Sequence, residues 1–211
     1  QYFRREMMPH IWCKGCGNGV ILKALLRAFD RLNLSKDRIV MVSGIGCSSR
    51  LTGYVDCNTL HTTHGRPLAF ATGLKLARPD VTVVVITGDG DGLAIGGNHL
   101  IHTARRNIDL TCLLFNNQIY GLTKGQYSPT SDLGYITSTS PEGCIEMAVN
   151  PMMVGLALGA TFLARTSSGD VKHMAQMIAE GIKHSGYSCI DVLQPCVTYN
   201  KVNTYEWYKS R

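Results

Sequence analysis

At 211 residues, 45% hydrophobic and 17% charged, the chain is long enough for one sizeable domain, and nothing in it demands a second. Its light charge and abundant glycine suit a subunit with extensive buried contacts. The net charge of +6 comes without a basic run or aromatic–basic interleaving, so it indicates no nucleic-acid partner and fits an anionic cofactor and substrate at least as well. No apolar stretch approaches the ~20 residues that span a bilayer. The polar start Gln1-Tyr-Phe-Arg-Arg shows no signal peptide and no initiating Met, so the expectation is a cytoplasmic protein, off the membrane, given as a fragment or without its first residues.

In chain order, WCKGCGNG over residues 12 to 19 sets Cys13 and Cys16 at C-x-x-C spacing ahead of a helix marked by Val20, Leu22, Leu25, Leu26, Phe29 and Leu32. Ile39 to Val42 reads as the first strand and runs into the Gly/Ser loop SGIGCSSR, residues 43 to 50. LHTTHGR, residues 60 to 66, precedes a helix from Pro67 to Ala77, where proline suits the first turn. Val81 to Thr87 is a β-branched run stopped by Gly88-Asp89-Gly90, the pattern of a buried parallel strand. A helix with Leu93, Ile95, Leu100, Ile101 and Ala104 leads to a strand from Leu110 to Phe115, which ends at Asn116-Asn117.

The polar Ser/Thr/Gly/Pro stretch up to about Gly143 reads as a functional loop. Met147 to Leu158 is expected as a helix, Thr161 to Arg165 as a short strand, Val171 to His184 as a helix, and Cys189 to Leu193 as the last strand. The alternation predicts one doubly wound, parallel α/β domain over residues 1 to 211.

Two adjacent strands thus deliver Asp89 and the Asn116-Asn117 pair to one sheet edge, outside the carboxyl ends of parallel strands, where α/β sheets bind ligands. Glycines beside Asp89 allow a tight turn and close approach, and its carboxylate is a hard donor suited to Mg²⁺. A lone GDG is an ordinary βα turn more often than a site. With the matching strand and NN exit, however, the pattern resembles the thiamine diphosphate signature. That resemblance implies Mg²⁺ ligands at Asp89, Asn117 and the carbonyl of Ile119, and a diphosphate-binding domain of that fold.

There are eight cysteines. Cys112 and Cys189 fall inside strands and read as small buried hydrophobes, and Cys57 and Cys144 have no evident partner. Cys13, Cys16, Cys47 and Cys196 sit in loops that could converge. Four such thiolates suit structural zinc or an iron–sulfur cluster, and the residues alone leave both open, along with no metal at all.

WCKGCGNG, GIGCSSR, THGR, GDGDG, NNQIYGLTKGQ and QPC, in this order, resemble the β subunits of 2-oxoacid:ferredoxin oxidoreductases over essentially the whole chain, most nearly the 2-oxoglutarate type. The resemblance implies one [4Fe–4S] cluster on Cys13, Cys16, Cys47 and Cys196. It implies a thiamine site lined by Ile45, Gly46, Cys47, Ser48, His64, Gly90, Asp91, Gly121 and Leu122. It also implies a C-terminal segment beyond residue 211.

The implied reaction joins a 2-oxoacid and coenzyme A to give acyl-CoA and CO₂, reversibly, with two electrons passing through the cluster to ferredoxin. Zinc, being redox-inactive, would not serve that step. Thiamine enzymes also need an activating glutamate. None of Glu6, Glu142, Glu146, Glu180 and Glu206 lies in such a context, and the resemblance implies that an α subunit (or α and γ chains) supplies it. Arg50, and with it Lys124, are candidates to read the distal carboxylate of 2-oxoglutarate, and His64 to move a proton at the substrate oxygen. The rival readings are pyruvate or another 2-oxoacid as substrate, a non-oxidative thiamine enzyme, and a zinc-stapled structural subunit.

Overall fold

The structure is a computed structural model describing residues 1–210. Its centre is a six-stranded, all-parallel sheet of β1 (Ile39–Ser43), β2 (Asn58–His61), β3 (Thr82–Gly88), β4 (Leu110–Asn116), β5 (Phe162–Ser167) and β6 (Tyr187–Leu193). The spatial order is β2-β1-β3-β4-β6-β5. That order reverses between β1 and β3, where β1 connects outward to β2 and β3 connects the other way to β4. The reversal opens a crevice at the carboxyl edge, because the loops on either side leave in opposite directions.

Both faces of the sheet are covered. On β3, β4 and β6 successive side chains alternate between two cores: Ile86, Phe115 and Ile190 pack on one side, Val85, Cys112 and Cys189 on the other. The first core is closed by α1 (Asn18–Arg31) and α5 (Val171–Lys183), and the second by α2 (Pro67–Ala77) and α3 (Gly97–Arg105). Each fully buried Phe, Leu or Ile there contributes about 1.5–3 kcal/mol relative to exposure. Cys112 and Cys189 face each other in register across β4 and β6 and are buried, as expected for small hydrophobes.

Four features differ from the sequence reading. Strand β2 was not expected, because Asn58–His61 is exposed along its length and has no apolar alternation. The helix expected from Met147 begins only at Pro151, as α4 (Pro151–Ala157). Asn150 is extended, as a residue before proline prefers, and its Oδ1 caps the helix by accepting from Met152 N and Met153 N. After Asp89 the chain enters a π-helical turn over Gly90–Ile95 before α3. A short α6 (Tyr205–Lys209), capped by Thr204, packs near the end.

Candidate active site

The loops leaving β1, β2, β3 and β4 enclose a cleft with about 660 Å³ of non-atom space, its open mouth included. Every residue expected at the cofactor lines it: Ile45, Gly46, Cys47 and Ser48 after β1, His64 after β2, Asp89, Gly90 and Asp91 after β3, and Asn117, Ile119, Gly121 and Leu122 after β4. The sequence reading did not name Tyr120 or Gln194, which line it too.

Asp89 is 3% exposed, and both Ser128 Oγ (2.6 Å) and Thr130 Oγ1 (2.8 Å) donate to its Oδ2. Burial outweighs those donors and pushes its carboxyl up to about 6. A buried carboxylate in that condition gains from a cation beside it. Gly90 is required by packing: a Cβ there would stand 2.1 Å from Tyr120 Cε1, and the Tyr120 hydroxyl donates to the Gly90 carbonyl at 3.2 Å.

The two asparagines divide their labour. Asn116 turns into the sheet, where Nδ2 donates to Asp191 Oδ1 (3.1 Å) and Oδ1 lies 2.9 Å from Thr130 Oγ1, within reach of the one hydroxyl proton that Asp89 also draws on. Asn117 lines the cleft, and its Oδ1 accepts from Ile119 N at 3.1 Å across Gln118, whose φ of 57° is left-handed. Asp89 and Asn117 side chains and the Ile119 backbone are thus gathered on one wall, an oxygen-donor set that fits Mg²⁺ and a diphosphate.

Asp91 is the lacing point of the site. Its side chain is 2% exposed, and four donors from two loops and strand β3 converge on it. Ile45 N (3.1 Å), Gly65 N (2.7 Å) and His64 Nδ1 (2.6 Å) reach Oδ1, and Thr87 Oγ1 (2.6 Å) reaches Oδ2. Gly44 lets the loop pass so closely that a Cβ would stand 2.0 Å from Asp91 Oδ2. His64 is held through Nδ1, which leaves Nε2 as its remaining polar atom in the cleft.

Across a shared wall of Cys47, Asn117, Gly121 and Leu122 lies a second cavity, lined by Cys13, Cys16, Cys47 and Cys196 together with Arg50. All four cysteines are free thiols. Burial raises Cys16 and pushes Cys47 up to about 11, and the charges of the other cysteines in the group raise both further. Gly121 separates two of them: its Cβ would be 3.4 Å from Cys196 Sγ and 3.8 Å from Cys47 Sγ. Among the described residues no set of three or more His, Cys, Asp or Glu is arranged to hold a metal ion. All four thiols nonetheless line this one cavity, and four cysteine sulfurs are a donor set that zinc or an iron–sulfur cluster can use.

Arg50 stands exposed on the cysteine side and does not line the cofactor cleft. Lys124 is exposed, has a left-handed φ of 80°, and lines neither cavity. Ser128 and Thr130 escaped the sequence reading as individuals, although their loop was marked as functional.

A cleft at the switch point of a parallel sheet, with an acid and an amide aimed at a diphosphate, defines a thiamine diphosphate-binding domain. The family model described as thiamine pyrophosphate enzyme, C-terminal TPP binding domain, matches residues 44–192. The chain is 50% identical over 199 residues to the 2-oxoglutarate synthase subunit KorB of Methanocaldococcus jannaschii, covering 94% of this chain and 74% of that one. It is 50% identical over 200 residues to the β subunit of 2-oxoacid:ferredoxin oxidoreductase 1 of Aeropyrum pernix, covering 95% and 63%. A solved structure of 2-oxoglutarate:ferredoxin oxidoreductase from Magnetococcus marinus, with 2-oxoglutarate, coenzyme A and succinyl-CoA bound, superposes with a TM-score of 0.96 at 43% identity, covering 99% and 71%. The chain belongs to this family, as a β subunit of the 2-oxoacid:ferredoxin oxidoreductases of 2-oxoglutarate type. No helix among the described residues is long and apolar enough to cross a membrane.

Proposed function

We propose that this β subunit carries thiamine diphosphate with Mg²⁺ in the cleft and a [4Fe–4S] cluster in the cysteine cavity, and converts 2-oxoglutarate and coenzyme A to succinyl-CoA and CO₂ while reducing ferredoxin, reversibly. One observation carries the reading: the two cavities share the wall of Cys47, Asn117, Gly121 and Leu122, so electrons released in one have a short way to the other. Bound thiamine diphosphate supplies an electron sink for decarboxylation, and the protein's part is to bind, orient and tune.

In this reading Asp89, oriented by Ser128 and Thr130, joins Asn117 and the Ile119 carbonyl around Mg²⁺. His64, fixed through Nδ1 by Asp91, offers Nε2 to move a proton at the substrate oxygen. Cys13, Cys16, Cys47 and Cys196 hold the cluster. A zinc ion on the same four thiols would be redox-inactive and could not carry the electrons. The carboxylates lining the cleft are Asp89 and Asp91, both occupied by donors, which supports an activating glutamate from an α subunit. Arg50, in the cysteine cavity behind the shared wall, is the first candidate to read a distal carboxylate, with Lys124, which lines neither cavity, the second.

The test uses the complex purified anaerobically from its source. Broad visible absorption that bleaches on adding 2-oxoglutarate and coenzyme A, with ferredoxin reduced, is the expected result. A colourless, zinc-containing complex, or one that turns over pyruvate in preference, overturns it. Arg50→Ala should lower kcat/KM for 2-oxoglutarate about tenfold or more and leave pyruvate nearly unchanged, the loss of one charge-assisted pair. Equal losses on both substrates would remove Arg50 from that role.

A further inference from the structure

Two motif residues have no part in the reading so far, the asparagine of CGNG and the glutamine of QPC. Both are polar and both are sealed from solvent, Asn18 at 0% and Gln194 at 1% exposure. A buried amide costs free energy unless it is paired. Asn18 opens α1, and its Nδ2 donates to Cys16 Sγ at 3.3 Å while its Oδ1 accepts from Gln194 Nε2 at 3.1 Å. The Asn18 backbone N–H is directed at the same sulfur. Among the described residues, no side-chain donor reaches the sulfurs of Cys13, Cys47 or Cys196.

Gln194 is itself pinned as the chain leaves β6. Its N–H donates to the Asn116 carbonyl at 2.9 Å, and its own carbonyl accepts from the Tyr208 hydroxyl at 3.3 Å. Gly17 makes room for it: a Cβ there would lie 2.7 Å from both Cβ and Oε1 of Gln194. On its other side Gln194 lines the cofactor cleft. One amide therefore links the cleft wall to the only thiol of the four with a side-chain donor.

The direction of these bonds follows from the sulfur. An amide's oxygen and nitrogen are assigned by their partners. A metal-ligating cysteine is a thiolate, an acceptor alone, so Asn18 must turn its NH₂ to Cys16 and its oxygen to Gln194, which must then donate. Gln194 Oε1 remains buried without a partner, the cost of holding that orientation.

We propose, resting on the iron–sulfur reading above, that Asn18 sets the cluster's reduction potential through its hydrogen bond to Cys16, with Gln194 as the positioning residue that holds its amide. A hydrogen bond to a ligating sulfur strengthens when the cluster gains an electron and its sulfurs become more negative. It therefore favours the reduced state and raises the potential.

The experiment is potentiometry of the assembled, full-length enzyme under anaerobic conditions, followed by the cluster's paramagnetic resonance signal. Asn18→Leu keeps the branching at Cγ, with somewhat greater bulk, and removes the side-chain donor. Its expected result is an intact cluster with a lower potential, the ratio of reduced to oxidised cluster falling about tenfold at a fixed potential, which is 59 mV for one electron. Gln194→Leu should shift the same way by less, and the double variant no further than Asn18→Leu alone. Asn18→Asp, which keeps the shape and turns an acceptor to the thiolate, gives a second reading should Asn18→Leu fail to assemble. Its potential should fall further than that of Gln194→Leu. A cluster present at unchanged potential in Asn18→Leu or Asn18→Asp overturns this inference alone. Additive shifts in the double variant overturn the role of Gln194. Wild-type enzyme without a cluster overturns the iron–sulfur reading, and this inference with it.

Discussion

The two cavities at the carboxyl edge of the sheet share a wall and follow opposite rules. In the cofactor cleft the charged groups are saturated: Asp91 takes four donors and Asp89 two hydroxyls, from the surrounding loops and the end of β3. In the cysteine cavity the lining is mostly apolar, burial and then the neighbouring cysteines raise Cys16 and Cys47, and a single side-chain donor reaches one sulfur. The difference teaches where each site keeps its order. The cleft is shaped by its own hydrogen bonds before any ligand arrives, whereas the cavity leaves three of its four sulfurs without a side-chain donor and places them by the backbone.

That contrast can be broken most strongly at Asp91. Gly44→Ala places a carbon against its carboxylate, and Asp91→Ala removes the acceptor for four donors, including two backbone N–H groups. Charge-assisted hydrogen bonds are each worth about 1.5–3 kcal/mol, so either variant should weaken thiamine diphosphate binding by about 100-fold or more. Calorimetry on the assembled enzyme decides it, and near-normal affinity would show the lacing to be dispensable. Visible absorption should survive in both, since no cysteine is touched.

A control separates the cleft from general stability. Arg165 pairs with Asp191 through Nε (2.9 Å) and Nη2 (2.8 Å), where the carboxylate is buried and the guanidinium half in solvent. Arg165→Ala should cost about 2–3 kcal/mol, below the usual penalty of an orphaned buried charge because solvent already screens one partner. Cofactor affinity should fall far less than in the Asp91 variants, because Asp191 reaches Asp89 only through Asn116 and Thr130. A large loss of affinity at unchanged melting temperature would contradict that.

The smallest effect has an unusual sign. Because burial lifts Asp89 to about 6, between the ordinary carboxylate range and that value the folded chain keeps a proton that the unfolded chain has released. Stability without cofactor and Mg²⁺ therefore falls as pH rises through this window and stays reduced above it. Asp89→Asn should remove the dependence and stabilise the cofactor-free chain by about 1–3 kcal/mol at neutral pH, while abolishing Mg²⁺-dependent binding. Melting curves at pH 5 and 7.5 with a chelator provide the check. A wild type more stable at the higher pH would refute the sign.

Much of this was legible in the residues because it is local. Strands β1, β3, β4 and β6 announce themselves as short apolar runs, and each expected lining residue follows one of these strands or β2 by a few positions. What escaped was either featureless or distant. Strand β2 is polar and exposed, so pairing with β1 alone defines it. The partners of Asp89 lie about forty residues on, and Gln194 meets Asn18 across 176 positions. Nothing in a local pattern distinguishes a serine that grips a carboxylate from one in solvent. Asn116 and Asn117 are adjacent and identical, and only the pleat of β4 sends one inward and leaves the other at the cleft.

The cysteine cavity draws Cys13 and Cys16 from near the start of the described chain and Cys196 from beyond its last strand. A body bound to all of them would act as a clasp between distant parts of the chain. Closing a loop of well over a hundred residues removes freedom chiefly from the unfolded chain, worth about 5 kcal/mol if strain is small. The redox centre would then double as a fastening, and the resistance of this subunit to unfolding would report whether its iron is in place.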